Sequence, residues 1–137
     1  MNKALNYLAL ARKGGLAELG EEPVGVAARY GKAYVILVAR DASDHTWRRA
    51  KSFAAGTEQQ CVRLEVTKEE MGFVVGRTSL AIAAITDVQM ALALVKAAVP
   101  CQGAEEALPV LTAKAQRAKK RQSEAKAHQR NVRKGKK

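Results

Sequence analysis

No apolar run in this 137-residue chain approaches the ~20 residues that a membrane-spanning helix needs. The opening residues Met1-Asn2-Lys3-Ala4-Leu5 show no long apolar core followed by a small-residue cleavage site, so a signal peptide is not expected and a cytoplasmic location is. Cysteine is scarce. Cys61 and Cys101 are isolated from each other, which predicts reduced thiols rather than a disulfide framework, with Cys61 in a core strand. Aromatics make up 4% of the residues against 47% hydrophobic, so the core must be mostly aliphatic. His45 and His128 have no Cys or acid at ligand spacing, and neither a metal nor another cofactor is expected.

Positive charge is abundant, and it is unevenly placed. Residues 112–137 hold 11 of the 24 Lys and Arg residues and a single acid, Glu124. The bases are Lys114, Arg117, Lys119, Lys120, Arg121, Lys126, Arg130, Arg133, Lys134, Lys136 and Lys137. Residues 1–111 are nearly neutral, with 13 bases against 12 acids. A tail of that sign seeks a polyanion, and nucleic acid fits better than a membrane surface. After Leu111 there is no Leu, Ile, Phe or Trp to form the apolar face of an interfacial helix.

The run from Ala33 to Ala39 is unbroken by any polar residue, too short to span a membrane and right for a strand buried on both faces. Gly31 opens it and Arg40-Asp41 closes it, at the strand end where ligands gather in α/β sheets. Around it, apolar spacing predicts a helix over 2–13 and a short strand over 16–19. A helix starts at Gly20-Glu21-Glu22-Pro23, and another is opened by Ser43-Asp44 with Trp47, Ala50 and Phe53 inward. Cys61–Val66 alternates like a strand exposed on one side. Thr67 and Glu70 form a capping box for a helix over 68–75, Leu80–Ile85 is a second continuous apolar strand, and Thr86-Asp87 caps a final helix to Ala98. This alternation predicts a three-layer α/β/α sandwich with a four-stranded mixed sheet, largely parallel in its centre. Pro100, Gly103 and Pro109 mark 99–111 as a linker, and 112–137 as a tail that is disordered, or helical on RNA.

Several residue groups invite sharper readings. Glu21 and Glu22 point about 100° apart on a helix, so they do not form an acid/base pair and instead complement a helix start. Gly72 and Gly76 do not sit between a strand and a helix start, so they are not a phosphate loop. Ser43-Asp44-His45 is a cap and not a triad, because consecutive residues cannot take that geometry. Lys32 and Arg40 flank the buried strand and can hold phosphate, while Lys68 points to solvent beside its cap. Arg77, in a small polar loop with Thr78 and Ser79, is the strongest candidate for a phosphate or base-stacking contact.

The ordered set Gly20, Gly31, Ala39-x-Asp41, Val66-Thr67-Lys68, Met71-Gly72-x-x-x-Gly76-Arg77 and Ala81–Ile85-Thr86-Asp87 resembles the L-seven-Ae ribosomal protein family. It is most similar to that family's bacterial YlxQ-like branch, over residues 5–98. The resemblance implies the same sandwich, no catalysis, and recognition of kink-turn-like or ribosomal RNA by loops at one sheet edge. Gly20-Glu21-Glu22 would meet the kink, Arg40-Asp41 would line the same cleft, and Gly76-Arg77-Thr78-Ser79 would cover a flipped-out nucleotide. Lys32 and Lys68 complete the candidate RNA-binding set. Where the family's kink-turn binders carry an Asn-Glu pair and a following Lys, this chain has Glu22, Pro23 and Val26. The expectation is a monomeric, non-enzymatic RNA-binding protein associated with ribosomal RNA, the ribosome or translation factors. The alternative is a ribosome-assembly or RNA-remodelling factor whose folded domain docks a protein. The same sandwich also occurs as a recognition domain in some RNA ribose methyltransferases, but the residues after 98 leave no room for their catalytic domain.

Overall fold

The computed structural model describes residues 2–135, and the side-chain surroundings of residues 2–128. In chain order the elements are α1 (Lys3–Lys13), β1 (Ala17–Leu19), α2 (Glu21–Arg29), β2 (Val35–Val38), α3 (Asp44–Ala54), β3 (Gln60–Arg63), α4 (Lys68–Val74), β4 (Ile82–Ile85), α5 (Val88–Ala98) and α6 (Ala104–Gly135). The strands form one mixed sheet in the order β1-β4-β2-β3. Helices α2 and α3 pack on one face, and α1 and α5 lie on the other with α4 against α1. The result is the three-layer α/β/α sandwich.

Helix starts follow local chemistry. Asn2, Ser43 and Asp87 each accept a first-turn amide of α1, α3 and α5. Thr67 and Glu70 exchange both bonds of a capping box at α4. Every residue of β2 and β4 is buried, and the large core side chains include Leu5, Leu8, Ile36, Leu37, Ile85 and Leu94. The buried Gln59 amide clips the turn before β2 to the start of β3. Its oxygen accepts from the Ala33 N–H at 2.9 Å, and its nitrogen donates to the Ala28 carbonyl at 3.1 Å.

Three expectations need correction. The centre of the sheet is antiparallel: β4 runs opposite to both β2 and β1, and only β2 and β3 are parallel. A fully apolar strand reports burial on two faces, whichever way its neighbours run. Helix α3 turns inward the face expected of it, with Ala50 fully buried and Trp47, Phe53 and Ala54 partly buried against the core. The segment 99–111 is not a linker. Gln102 accepts the Arg63 amide at 2.9 Å on the open side of β3, and α6 starts at Ala104, with Pro109 inside it. An interior proline costs about 3 kcal/mol. Here the buried stripe of Ala104, Ala107, Leu111 and Ala115, packed on α5 and β3, outweighs it. Residues 112–135 likewise continue α6 rather than starting a separate tail, since its docked first turns supply the nucleus that a free helix lacks. Lys136 and Lys137 lie outside the described residues, as do the side-chain surroundings of Arg130, Arg133 and Lys134.

Candidate nucleic-acid interface

Strand register decides which loops meet. Leu19 pairs with Ala83, and Val38 pairs with both Ile82 and Arg63. The exits of β1, β2 and β3 and the entry to β4 therefore share one end of the sheet. Gly20-Glu21-Glu22, Arg40-Asp41, Lys68 and the loop Gly76–Ser79 converge there, on four different connections. Backbone bonds hold this rim together. The Gly20 N–H donates to the Ile82 carbonyl at 3.0 Å, the Arg40 N–H to Val66 at 2.7 Å, and the Leu80 N–H to Lys68 at 2.9 Å.

The loop carrying Arg77 owes its position to Gly72. A Cβ there would lie 2.7 Å from the Ser79 nitrogen and 2.8 Å from the Arg77 carbonyl oxygen, both backbone atoms. Without one, the loop lies directly on α4, and the Arg77 N–H donates to the Gly72 carbonyl at 2.8 Å. This brings the Arg77 guanidinium across to the start of α2, where one of its nitrogens lies 3.8 Å from the position a Cβ on Gly20 would take.

Three rim carboxylates are committed to the scaffold. Asp41 accepts the Lys68 N–H at 2.8 Å, so it ties the loop after β2 to the start of α4. Glu70 accepts the Thr67 N–H at 2.9 Å, and that bond, followed by the Thr67 hydroxyl, holds its carboxyl below the ordinary value of 4.5. Glu21 pairs with Arg49 at 2.7 Å. Among the described residues, Arg40, Lys68 and Arg77 make no ion pair. Arg40 and Arg77 are exposed, as are Glu22, Gly76, Thr78 and Ser79. The rim thus offers three uncommitted cations beside short polar side chains and backbone groups, a composition suited to phosphates and unstacked bases.

Lys32 does not join them. It precedes β2, whose first residue Val35 pairs with Ile85 and Gln60, so it lies at the opposite end of the sheet. Flanking a strand puts two residues at its two ends, and only the Arg40 end belongs to the rim. Lys114, Arg117, Lys120 and Arg121 of α6 also lie away from the rim. Lys114 bonds Glu58 at 2.9 Å and stands 5.8 Å from the centre of the Tyr34 ring, at the end where β2 and β3 begin.

No protein-family model matches this chain. No curated protein matches it either. Among solved structures it is similar to a protein of unknown function from Bacillus halodurans C, with a TM-score of 0.66 and 20% identity, covering 71% of this chain and 97% of that one. At that identity the likeness shows the fold alone.

Sequence reasoning missed Arg49, Arg63 and Phe73. Arg49 reaches from α3 to Glu21 and lies 5.2 Å from the Phe53 ring centre. Arg63 donates to the Ala42 carbonyl at 2.8 Å and faces Trp47, which pins the loop after β2. Both act across distant parts of the chain, so no local pattern signals them. Phe73 is 77% exposed on α4, four residues before Arg77. Its signal was local: Met71 and Val75 are buried at helical i, i+4 spacing, and an aromatic midway between them falls on the opposite face of the helix.

Proposed function

We propose that this protein binds structured RNA without catalysing a reaction, through the rim loops, with the bases of α6 contacting phosphates away from that rim. The kink-turn-like or ribosomal RNA suggested by resemblance to the L-seven-Ae family is the first ligand to try. One observation carries the reading: four connections meet at one sheet end with Arg40, Lys68 and Arg77 uncommitted, while the neighbouring carboxylates Asp41, Glu70 and Glu21 are engaged by the scaffold. Glu22 and Val26, both exposed on α2, replace groups that would read a purine edge or a phosphate, so the shape of the RNA counts for more than base-edge contacts here.

The test is a titration of the full chain with kink-turn RNA and with a plain duplex of equal length at moderate salt, repeated for Arg77→Glu. Kink-turn RNA should bind more tightly, and Arg77→Glu should remove most of the difference. Equal affinity for both RNAs rejects shape selectivity. A second reading, an accessory factor whose domain docks a protein, is favoured by exposed Phe73, which lines a shallow cleft with Leu5, Glu69, Glu70 and Val74. An association that persists after nuclease treatment and is lost in Phe73→Ser would support it.

A further inference from the structure

Helix α6 has two parts. The first is docked through Ala104, Ala107, Leu111 and Ala115. The Gln89 side chain donates to the Ala115 carbonyl at 3.0 Å, the last such tie to the domain among the described residues. Past this point every residue from Lys119 to His128 is exposed. From Lys114 to Gly135 the helix rises about 30 Å.

Its direction follows from its contacts. Gly103, with φ +90°, lies directly on the Cys61 carbonyl, where a Cβ would collide with the strand. Lys114 lies at Glu58 and Tyr34, near the beginnings of β3 and β2. The helix therefore leaves the domain at the end opposite to the loop rim. There Tyr34, Lys114, Arg117, Lys120 and Arg121 line an open cleft of about 480 Å³, together with Glu58 and Glu124. Glu58 is already paired with Lys114. Four-residue strands separate the two ends by about 13 Å before any loop is counted, and charges in solution are screened over about 8 Å at physiological salt. The field of the arm cannot assist a phosphate held at the rim.

We propose that α6 beyond Lys114 is a second polynucleotide-binding site, acting independently of the rim, so that one molecule can hold two RNA segments at opposite ends of its domain. The bridging consequence rests on the rim binding RNA as proposed above. The arm itself supplies the partner's chemistry. It carries eight bases and one acid between Gln116 and Gly135, with no large apolar residue that would seat it in a lipid surface. Such a site reads phosphate and not sequence.

Two probes separate the sites: a fluorescent hairpin containing a kinked internal loop, and biotinylated oligouridine. With full-length protein, captured oligouridine should retain the hairpin in a complex with one copy of each component. Lys120→Glu with Arg121→Glu should weaken oligouridine binding about tenfold or more and flatten its salt slope by about 1.4, two contacts at ~0.7 each. It should leave hairpin binding largely intact, and Arg77→Glu should do the reverse. Circular dichroism controls for folding, since both α6 changes are to a good helix former at exposed positions. One-for-one displacement of the two RNAs, or oligouridine affinity that survives the double reversal, overturns the proposal. If oligouridine depends on Lys120 and Arg121 while the hairpin ignores Arg77→Glu, the α6 site stands and the rim reading is the one that fails.

Discussion

Replacing Gly72 with alanine sets two known effects against each other. In an open helix, Gly→Ala gains about 1 kcal/mol of stability from helix propensity. At Gly72 the new Cβ starts 2.7–2.8 Å from the backbone of Arg77 and Ser79, and reaching ordinary contact at 3.4 Å needs a shift of about 0.7 Å. Backbone atoms cannot swing aside as the end of a flexible side chain can. Overpacking of this kind costs about 1–3 kcal/mol, and straining the Arg77–Gly72 hydrogen bond adds up to about 1 kcal/mol. The collision should win, leaving Gly72→Ala destabilised by about 1–2 kcal/mol in chemical denaturation with the m-value unchanged. Because the displaced loop carries Arg77 away from Gly20, affinity for structured RNA should fall in the same variant. A Gly72→Ala protein about 1 kcal/mol more stable than the parent, with unaltered RNA affinity, would refute the packing of this loop on α4.

Leu111 is fully buried on the inward face of α6, so Leu111→Ala should cost about 2–5 kcal/mol in the same assay. A change within about 0.5 kcal/mol, as for surface sites, would mean the helix is not docked. Glu70 has a depressed carboxyl pKa when folded, so its contribution is present above the ordinary value of 4.5 and is lost as pH falls through the lower folded value. The stability gap between the parent and Glu70→Gln should accordingly narrow below about pH 4.5, and a gap independent of pH would contradict the capping box. Burial pushes the Cys61 thiol up to about 12 from 9.0. Alkylation of Cys61 at pH 8 should therefore run about a hundred- to thousandfold slower in the native protein than in denaturant, as followed by mass spectrometry.

Strands β2 and β4 and the capped starts of α3, α4 and α5 were legible because each is encoded within a few adjacent residues. Their mutual direction was not, since a run such as Val35–Val38 looks alike beside parallel or antiparallel neighbours. Helix α6 was hidden by its own sequence. Gly103 and Pro109 read as punctuation, and a stripe of three alanines and one leucine gives little apolar signal even though it is buried throughout. At the rim, Arg40 was found at the end of its strand and Arg77 in its small polar loop, while Gly20 and Lys68 entered through the family resemblance. The structural duties of Asp41 and Glu21 depend on partners 27 and 28 residues away, beyond the reach of any local pattern. Lys32 was grouped with Arg40 although residues flanking a strand lie at its two ends, and only the pairing with β3 and β4 shows which end carries the rim.

The Gln102 carbonyl on the Arg63 amide and Gly103 on the Cys61 carbonyl together close the outer margin of β3. A protein cut back to residue 98, where the alternation of helices and strands ends, would leave that margin bare. Unsatisfied main-chain groups there would template pairing with another copy. Gln102 and Gly103, held in place by the docked first half of α6, therefore guard this protein against self-association, and the shortest stretch that looks like a whole domain is the version most prone to aggregate.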